Sequence, residues 1–169
     1  MSDHGYEPVR KLAAADTADT FDCGQSALDQ FLQRYALVNQ RANSAQTYVC
    51  CKDGQVVGFY SLVVGSVEPG EVPARVMKGL ARHLVPVMIL ARLAVDRMHQ
   101  GKGLGRALLK DALLRTLQAA DIAGIRTVLV HAKDEAARQR YESCEFEASP
   151  TDPFHLYLMI KDLKAIARV

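Results

Sequence analysis

Three glycines at alternate positions, Gly101, Gly103 and Gly105, follow a continuously apolar run, Leu84–Val95, and lead into a leucine-rich amphipathic run that opens at Leu104. Few arrangements accommodate this order. The apolar run is a buried strand, the amphipathic run a helix of about Leu104 to Ala119, and the glycines form a tight loop at the helix entrance. Glycines there let backbone N–H groups approach a ligand closely, and the partial positive charge of the helix N-terminus favours a phosphate. Spacing excludes two familiar phosphate loops. A nucleotide-hydrolase loop needs Gly-Lys followed by Ser or Thr, and Lys102 is flanked by glycines instead. A dinucleotide fingerprint needs Gly-x-Gly-x-x-Gly after a first strand, whereas here the third gap is wrong and the loop lies past the middle of the chain.

The segments around the loop define the fold class. "YEPVRKLAAAD" reads as a short first strand and "FDCGQSALDQFLQRYALVNQ" enters a helix. Ser26 with Asp29 predicts a capping box, and Leu28, Phe31, Leu32 and Tyr35 recur on one helical face, which is read as core. Asp53-Gly54 lies between two β-branched apolar runs and predicts a hairpin from Gln46 to Val67. Val72 to His83, bracketed by Pro73 and Gly79, holds about one helical turn, and Arg92 interrupts the buried strand that follows. After the long helix come a strand at "IRTVLVHA", a helix over "DEAARQRYESC" and a final strand near "FHLYLMIKDL". The alternation predicts an α/β (α+β) fold with a mixed central sheet flanked by helices.

With 169 residues, no repeat and no linker, one domain over 1–169 is expected. No segment reaches the length of a membrane span and no basic-then-apolar leader opens the sequence, so the expected location is the cytoplasm, away from membranes. Cys23, Cys50, Cys51 and Cys144 lack metal or disulfide spacing and read as reduced structural thiols; the five histidines form no ligand pair, so no metal is expected. The net charge of +2 is unevenly spread. Arg92 to Arg140 carries ten Lys/Arg against five Asp/Glu, and the remainder eleven against fourteen. A phosphate-rich cofactor accounts for part of that excess, and a polyanionic substrate such as nucleic acid for the rest.

Gln100-x-x-Gly103-x-Gly105 resembles the pyrophosphate loop of the GNAT N-acetyltransferases, and the order of elements resembles their fold over nearly the whole chain. More narrowly, "FDCGQSALDQFL", "ARLAVDRMHQGKGLGRALLKDALLR", "VHAKDEAARQRYESCEF" and "DPFHLYLMIKDL" resemble the GNAT toxins of bacterial type II toxin–antitoxin pairs. Two positions depart from the family pattern: Glu145 stands where glycine is usual, and Asp134 where asparagine is frequent.

The resemblance implies acetyl-CoA as acetyl donor. Gln100, Gly101, Lys102, Gly103, Leu104, Gly105 and Arg106 would cradle its pyrophosphate, with Asp134 and the backbone of Leu93, Ala94 and Val95 on the pantetheine arm. One N–H of that strand would polarise the acetyl carbonyl, a contribution of about 3 to 4 kcal/mol for a well-aimed donor. Tyr141 would be the catalytic acid that protonates the leaving thiolate; a buried aromatic with its hydroxyl on a backbone carbonyl is the plain alternative. Arg92, inside an apolar strand, either pairs with an acid or lines the acceptor site. Arg75, Lys78 and Arg82, with His83, form a second basic cluster that could touch RNA. The implied function is a toxin that acetylates the α-amine of aminoacyl-tRNA and stops translation. Its implied partners are a ribbon-helix-helix antitoxin, DNA only through that antitoxin, and a second copy in a homodimer. Two alternatives stand beside it: an acetyltransferase of a small amine or protein N-terminus, and a catalytically silent acetyl-CoA-binding module in a DNA-repressing complex.

Overall fold

The computed structural model describes residues 5–167. The chain divides into two compact units, Met1–Val63 with Ala91–Ala112, and Val64–Leu90 with Leu113–Val169.

In the first unit, strand β1 (Arg10–Lys11) precedes helix α1 (Ser26–Gln30), a π-helical turn (Phe31–Tyr35) and helix α2 (Ala36–Arg41). Strands β2 (Gln46–Lys52) and β3 (Gln55–Val67) then form an antiparallel hairpin. Asp53 and Gly54 both have positive φ, 51° and 78°, which is the backbone the two-residue hairpin turn demands. Strand β3, like strand β4 (Val85–Val95) and helix α3 (Leu104–Ala120), runs from one unit into the other. Phe59 anchors the core of the first unit, edge-on to Phe21 at 5.5 Å and stacked on Phe31 at 6.2 Å, among Leu32, Ala36, Val49, Val56 and Ala94. Each such ring pair contributes about 0.5–1.5 kcal/mol beyond the area it buries.

Gly58 lets α3 lie close to the sheet: a Cβ there would stand 2.9 Å from Leu108 Cδ1 and 3.3 Å from Leu104 Cδ2. Since Leu104 and Leu108 form the buried side of the first two turns, this close approach seats the helix N-terminus.

Three local features differ from expectation. Ser26 is the first helical residue, not the cap; Gln25 holds the cap position without a side-chain bond, and the Asp29 carboxylate accepts the Cys23 N–H at 2.9 Å instead. Tyr35 is not core. The π-helical turn carries one extra residue per turn, so Ala36 takes the buried position and Tyr35 is 54% exposed. Nor does Arg92 interrupt β4, which runs unbroken through it.

In the second unit, β4 pairs in parallel with strand β5 (Thr127–His131), from Val87↔Thr127 to Leu90↔Val130. Helix α4 (Glu135–Ser143), strand β6 (Glu147–Ala148), strand β7 (His155–Met159) and helix α5 (Ile160–Ala167) follow. The sheet is mixed and seven-stranded, in the order β1-β2-β3-β4-β5-β7-β6. The final strand stops at Met159. Lys161, Asp162 and Leu163, expected to extend it, are helical, because Leu163 turns into the core and Asp162 meets Arg75. Val72 to His83 contains one short 3-10 turn, Ala74–Met77, preceded by another at Pro69–Glu71. Val72, Val76, Val85, Val87, Leu129, Tyr157 and Met159 close the core of this unit.

Helix α4 ends in a Schellman motif built on Glu145. Phe146 N–H donates to Tyr141 O at 3.2 Å, Glu145 N–H to Glu142 O at 3.1 Å, and the Tyr141 and Phe146 rings meet edge to face at 5.4 Å. Glu145 holds φ at 72°, so it keeps the left-handed backbone that a glycine would adopt without strain. Glu145→Gly removes that strain but loosens the unfolded chain. A net gain of about 0.5–1 kcal/mol is expected, a rise of roughly 1–4 °C in Tm. Calorimetry checks it, and a fall in Tm would show the Glu145 side chain to be stabilising in itself.

Candidate active site

The donor-loop residues all lie in the first unit. Strand β4 places Ala94 in the core and leaves Leu93 and Val95 half-buried, so the strand's backbone is held rigidly by its alternate side chains. β5 ends at His131, one residue after the Leu90↔Val130 pair, whereas β4 continues to Val95. Leu93, Ala94 and Val95 therefore lie on the stretch of β4 that outruns β5.

Beyond β4, Asp96 caps a 3-10 turn, Arg97–His99, by accepting Met98 N–H at 3.0 Å. The chain then passes through Gly101 and Gly103, whose φ values of 79° and 84° favour glycine, and a Cβ at either would meet nothing within 4 Å. Ala107 N–H, donating to Gly103 O at 3.1 Å, makes the first intrahelical bond, so the N–H groups of Leu104, Gly105 and Arg106 have no partner within α3. No acidic residue occupies the first turn to offset the helix dipole. Lys102 and Arg106 are exposed beside these donors. Open space over left-handed glycines, free amide donors and two cations fit a diphosphate. The residues present thus suit the diphosphate of acetyl-CoA.

Gln100 takes a different part from the one its motif suggests. Its side-chain amide donates to Val95 O at 2.8 Å and to Cys23 O at 3.2 Å, tying the loop to the protein.

In the second unit, Tyr141 sits in the last turn of α4, set by the Schellman contact to Phe146. Burial pushes its phenol above the ordinary tyrosine range, and its hydroxyl bonds to no group among the described residues. A protonated, uncommitted phenol is what proton delivery requires. Asp134 caps α4: its carboxylate accepts Ala137 N–H at 2.8 Å. Arg75 bonds Glu147 at 2.7 Å and Asp162 at 2.8 Å, so its charge is offset by two carboxylates, while Lys78, Arg82 and His83 are exposed.

Arg92, in the first unit, pairs with no acid among the described residues. Its guanidinium lies 3.7 Å from the centroid of Phe31, which accounts for its tolerance inside an apolar strand, and burial lowers its pKa. Asp22 and Arg97, which join the loop to the Phe-Asp-Cys-Gly stretch, carry no role in the sequence reading because their partners lie some seventy residues away. Among the described residues no group of three or more His, Cys, Asp or Glu could hold a metal ion, and no helix is long and apolar enough to cross a membrane.

A mixed sheet whose fourth strand feeds a glycine loop and a helix N-terminus fitted to a diphosphate defines an acyl-CoA-dependent acyltransferase. The sequence profile of the acetyltransferase (GNAT) domain matches residues 43–148, and the chain belongs to the GNAT acetyltransferase family, with acetyl-CoA as donor. It is 46% identical over 162 residues to a tRNA-acetylating toxin of Mycobacterium tuberculosis, covering 96% of this chain and 97% of that one. Among solved structures it is similar to AtaT complexed with acetyl-methionyl-tRNAfMet, with a TM-score of 0.88 and 28% identity over 95% of this chain and 98% of that one. A tyrosine-to-phenylalanine mutant of the AtaT toxin, bound to the C-terminus of the antitoxin AtaR and to acetyl-CoA, matches with a TM-score of 0.82 and 27% identity, covering 96% and 98%.

Proposed function

We propose that this chain, acting as a single catalytic domain in the cytoplasm, is the toxin of a type II toxin–antitoxin pair that acetylates the α-amino group of aminoacyl-tRNA. The observation that carries this reading is the 46% identity to a tRNA-acetylating toxin over almost the full length of both chains. A C-terminal segment of a cognate ribbon-helix-helix antitoxin is the expected protein partner, and DNA is reached through that antitoxin.

Bound acetyl-CoA supplies an activated acetyl group as a thioester. The amides of Gly103 to Arg106 with Lys102 bind its diphosphate, and the backbone of Leu93–Val95 orients the donor along β4. Tyr141 keeps its proton on Oη until the sulfur leaves as a thiolate, then delivers it. The α-amine of an aminoacyl ester is less basic than that of a free amino acid, so it attacks in its neutral form without a strong base from the protein; the proton it loses as the amide forms passes to solvent, from which Tyr141 Oη regains its own. Arg92, whose charge no described carboxylate neutralises, faces the acceptor in this reading.

For the tRNA backbone, Lys78 and Arg82 are stronger candidates than Arg75, whose guanidinium already bonds Glu147 and Asp162. Lys78→Glu with Arg82→Glu is expected to raise KM for aminoacyl-tRNA by about tenfold and to flatten its salt dependence, with acetyl-CoA affinity unchanged. Steady-state kinetics at two salt concentrations measure both effects. Radiolabelled acetyl-CoA incubated with charged or deacylated total tRNA tests the chemistry itself. Label should enter only the charged pool and leave with the aminoacyl bond in mild alkali; equal labelling of both pools, or none, sinks the aminoacyl-tRNA reading.

A further inference from the structure

Four hydrogen bonds join residues 22–23 to residues 96–100, more than seventy positions away. Asp22 N–H donates to Asp96 Oδ2 at 3.0 Å, and Arg97 N–H to Asp22 O at 2.8 Å. Arg97 Nε donates to Asp22 Oδ1 at 3.2 Å, and Gln100 Nε2 to Cys23 O at 3.2 Å. The segment is itself held in shape. Phe21 is buried in the core, Gly24 N–H donates to Asp22 Oδ1 at 3.0 Å, and Cys23 N–H donates to Asp29. Gly24, at φ 93°, lies beneath the Arg97 guanidinium, 3.5 Å from Nε to where a Cβ would be. On another side of the same turn, Tyr6 Oη bonds His99 Nδ1 at 2.8 Å with the rings edge to face.

These bonds converge on the short connection between β4 and the glycines, the part of the loop that has no regular ladder of its own. We propose that Phe21-Asp22-Cys23-Gly24 is a strap that fixes the donor loop, with Asp22 as the positioning residue: it touches no substrate and acts by holding the Asp96–Gln100 turn, from which Gly101 and Gly103 launch. The inference rests on the reading of that loop as the diphosphate seat. Its energetic logic is preorganisation, since a loop with two glycines loses much conformational freedom on binding unless it is already held.

The test uses the full chain and two donors, acetyl-CoA and S-acetylpantetheine, which lacks the diphosphate and nucleoside. In Asp22→Ala without any donor, amide exchange across residues 97–105 should accelerate about threefold or more, while β2 and β3 stay protected. The calorimetric Kd for acetyl-CoA should rise by about threefold, the scale of one exposed ion pair, because the backbone bonds of Asp22 and Cys23 to the turn remain. Turnover with S-acetylpantetheine should match the parent protein. Asp22→Asn retains an oxygen for Gly24 and Arg97 and should fall between the two. Equal losses with both donors would mean general damage and overturn the strap, as would unchanged exchange and unchanged Kd. Gly103→Glu separates the two claims. If it abolishes acetyl-CoA binding while Asp22→Ala changes nothing, the strap alone is wrong; if it leaves binding intact, the diphosphate seat is wrong and the strap goes with it.

Discussion

Tyr141→Phe should lower turnover by about 100-fold or more and leave acetyl-CoA affinity within about twofold. The variant removes one oxygen and little else. Its ring can keep the edge-to-face contact with Phe146, and the hydroxyl has no partner among the described residues whose loss would leave a buried group unsatisfied. Stability should therefore be nearly unchanged, so a fall in rate reads directly on the chemical step. Because burial holds the phenol above its ordinary pKa, Tyr141 stays protonated through neutral pH, and the parent enzyme's rate should show no loss attributable to its ionisation between about pH 6 and 9. Single-turnover kinetics with charged tRNA measure the step, and growth of cells expressing the variant gives an independent readout. Full activity would return Tyr141 to the core and leave the proton source to be found elsewhere.

The other large effect is expected at the loop. Gly103→Glu should abolish measurable acetyl-CoA binding, because it places a carboxylate beside amide donors and cations arranged for a diphosphate. The side chain itself has room, since a Cβ at Gly103 meets nothing within 4 Å, so the fold should survive. Its backbone does not go free of cost: φ is 84° there, and a non-glycine residue in that region costs about 1–2 kcal/mol. Gly103→Ala carries the same backbone cost without the charge and isolates it. Calorimetric titration should show weakened binding for alanine and none for glutamate; similar affinity in both would remove the electrostatic argument.

Much of the fold was legible because its signals are local. Asp53-Gly54 between β-branched runs announced the hairpin, and the glycines before Leu104 announced a loop and a helix start within one residue of where α3 begins. Local signals also misled. Ser26 and Asp29 have capping-box spacing, yet Asp29 serves Cys23, and a π-helical turn rotated Tyr35 out of a face that ideal periodicity had assigned to the core. The strand after His155 looked continuous through Leu163 because an apolar run does not distinguish strand from helix.

The sequence by itself determined the glycine loop and the helix that carries Tyr141, since glycine φ, helix polarity and apolar periodicity act over a few neighbouring residues. It also marked Glu145 as the odd residue in a turn, which the backbone absorbs with its glycine-like φ of 72°. Only the tertiary structure decided what the long polar side chains do. Arg75 reads as a free cation until Glu147 and Asp162 arrive from seventy and more residues away, and Arg92 as an unpaired charge until Phe31 lies under it. Asp22, Arg97 and Gln100 become one brace for the same reason. Charged and amide groups at the ends of flexible side chains take whichever partner the fold brings within about 3 Å, and that choice follows from long-range packing rather than from neighbours in the chain.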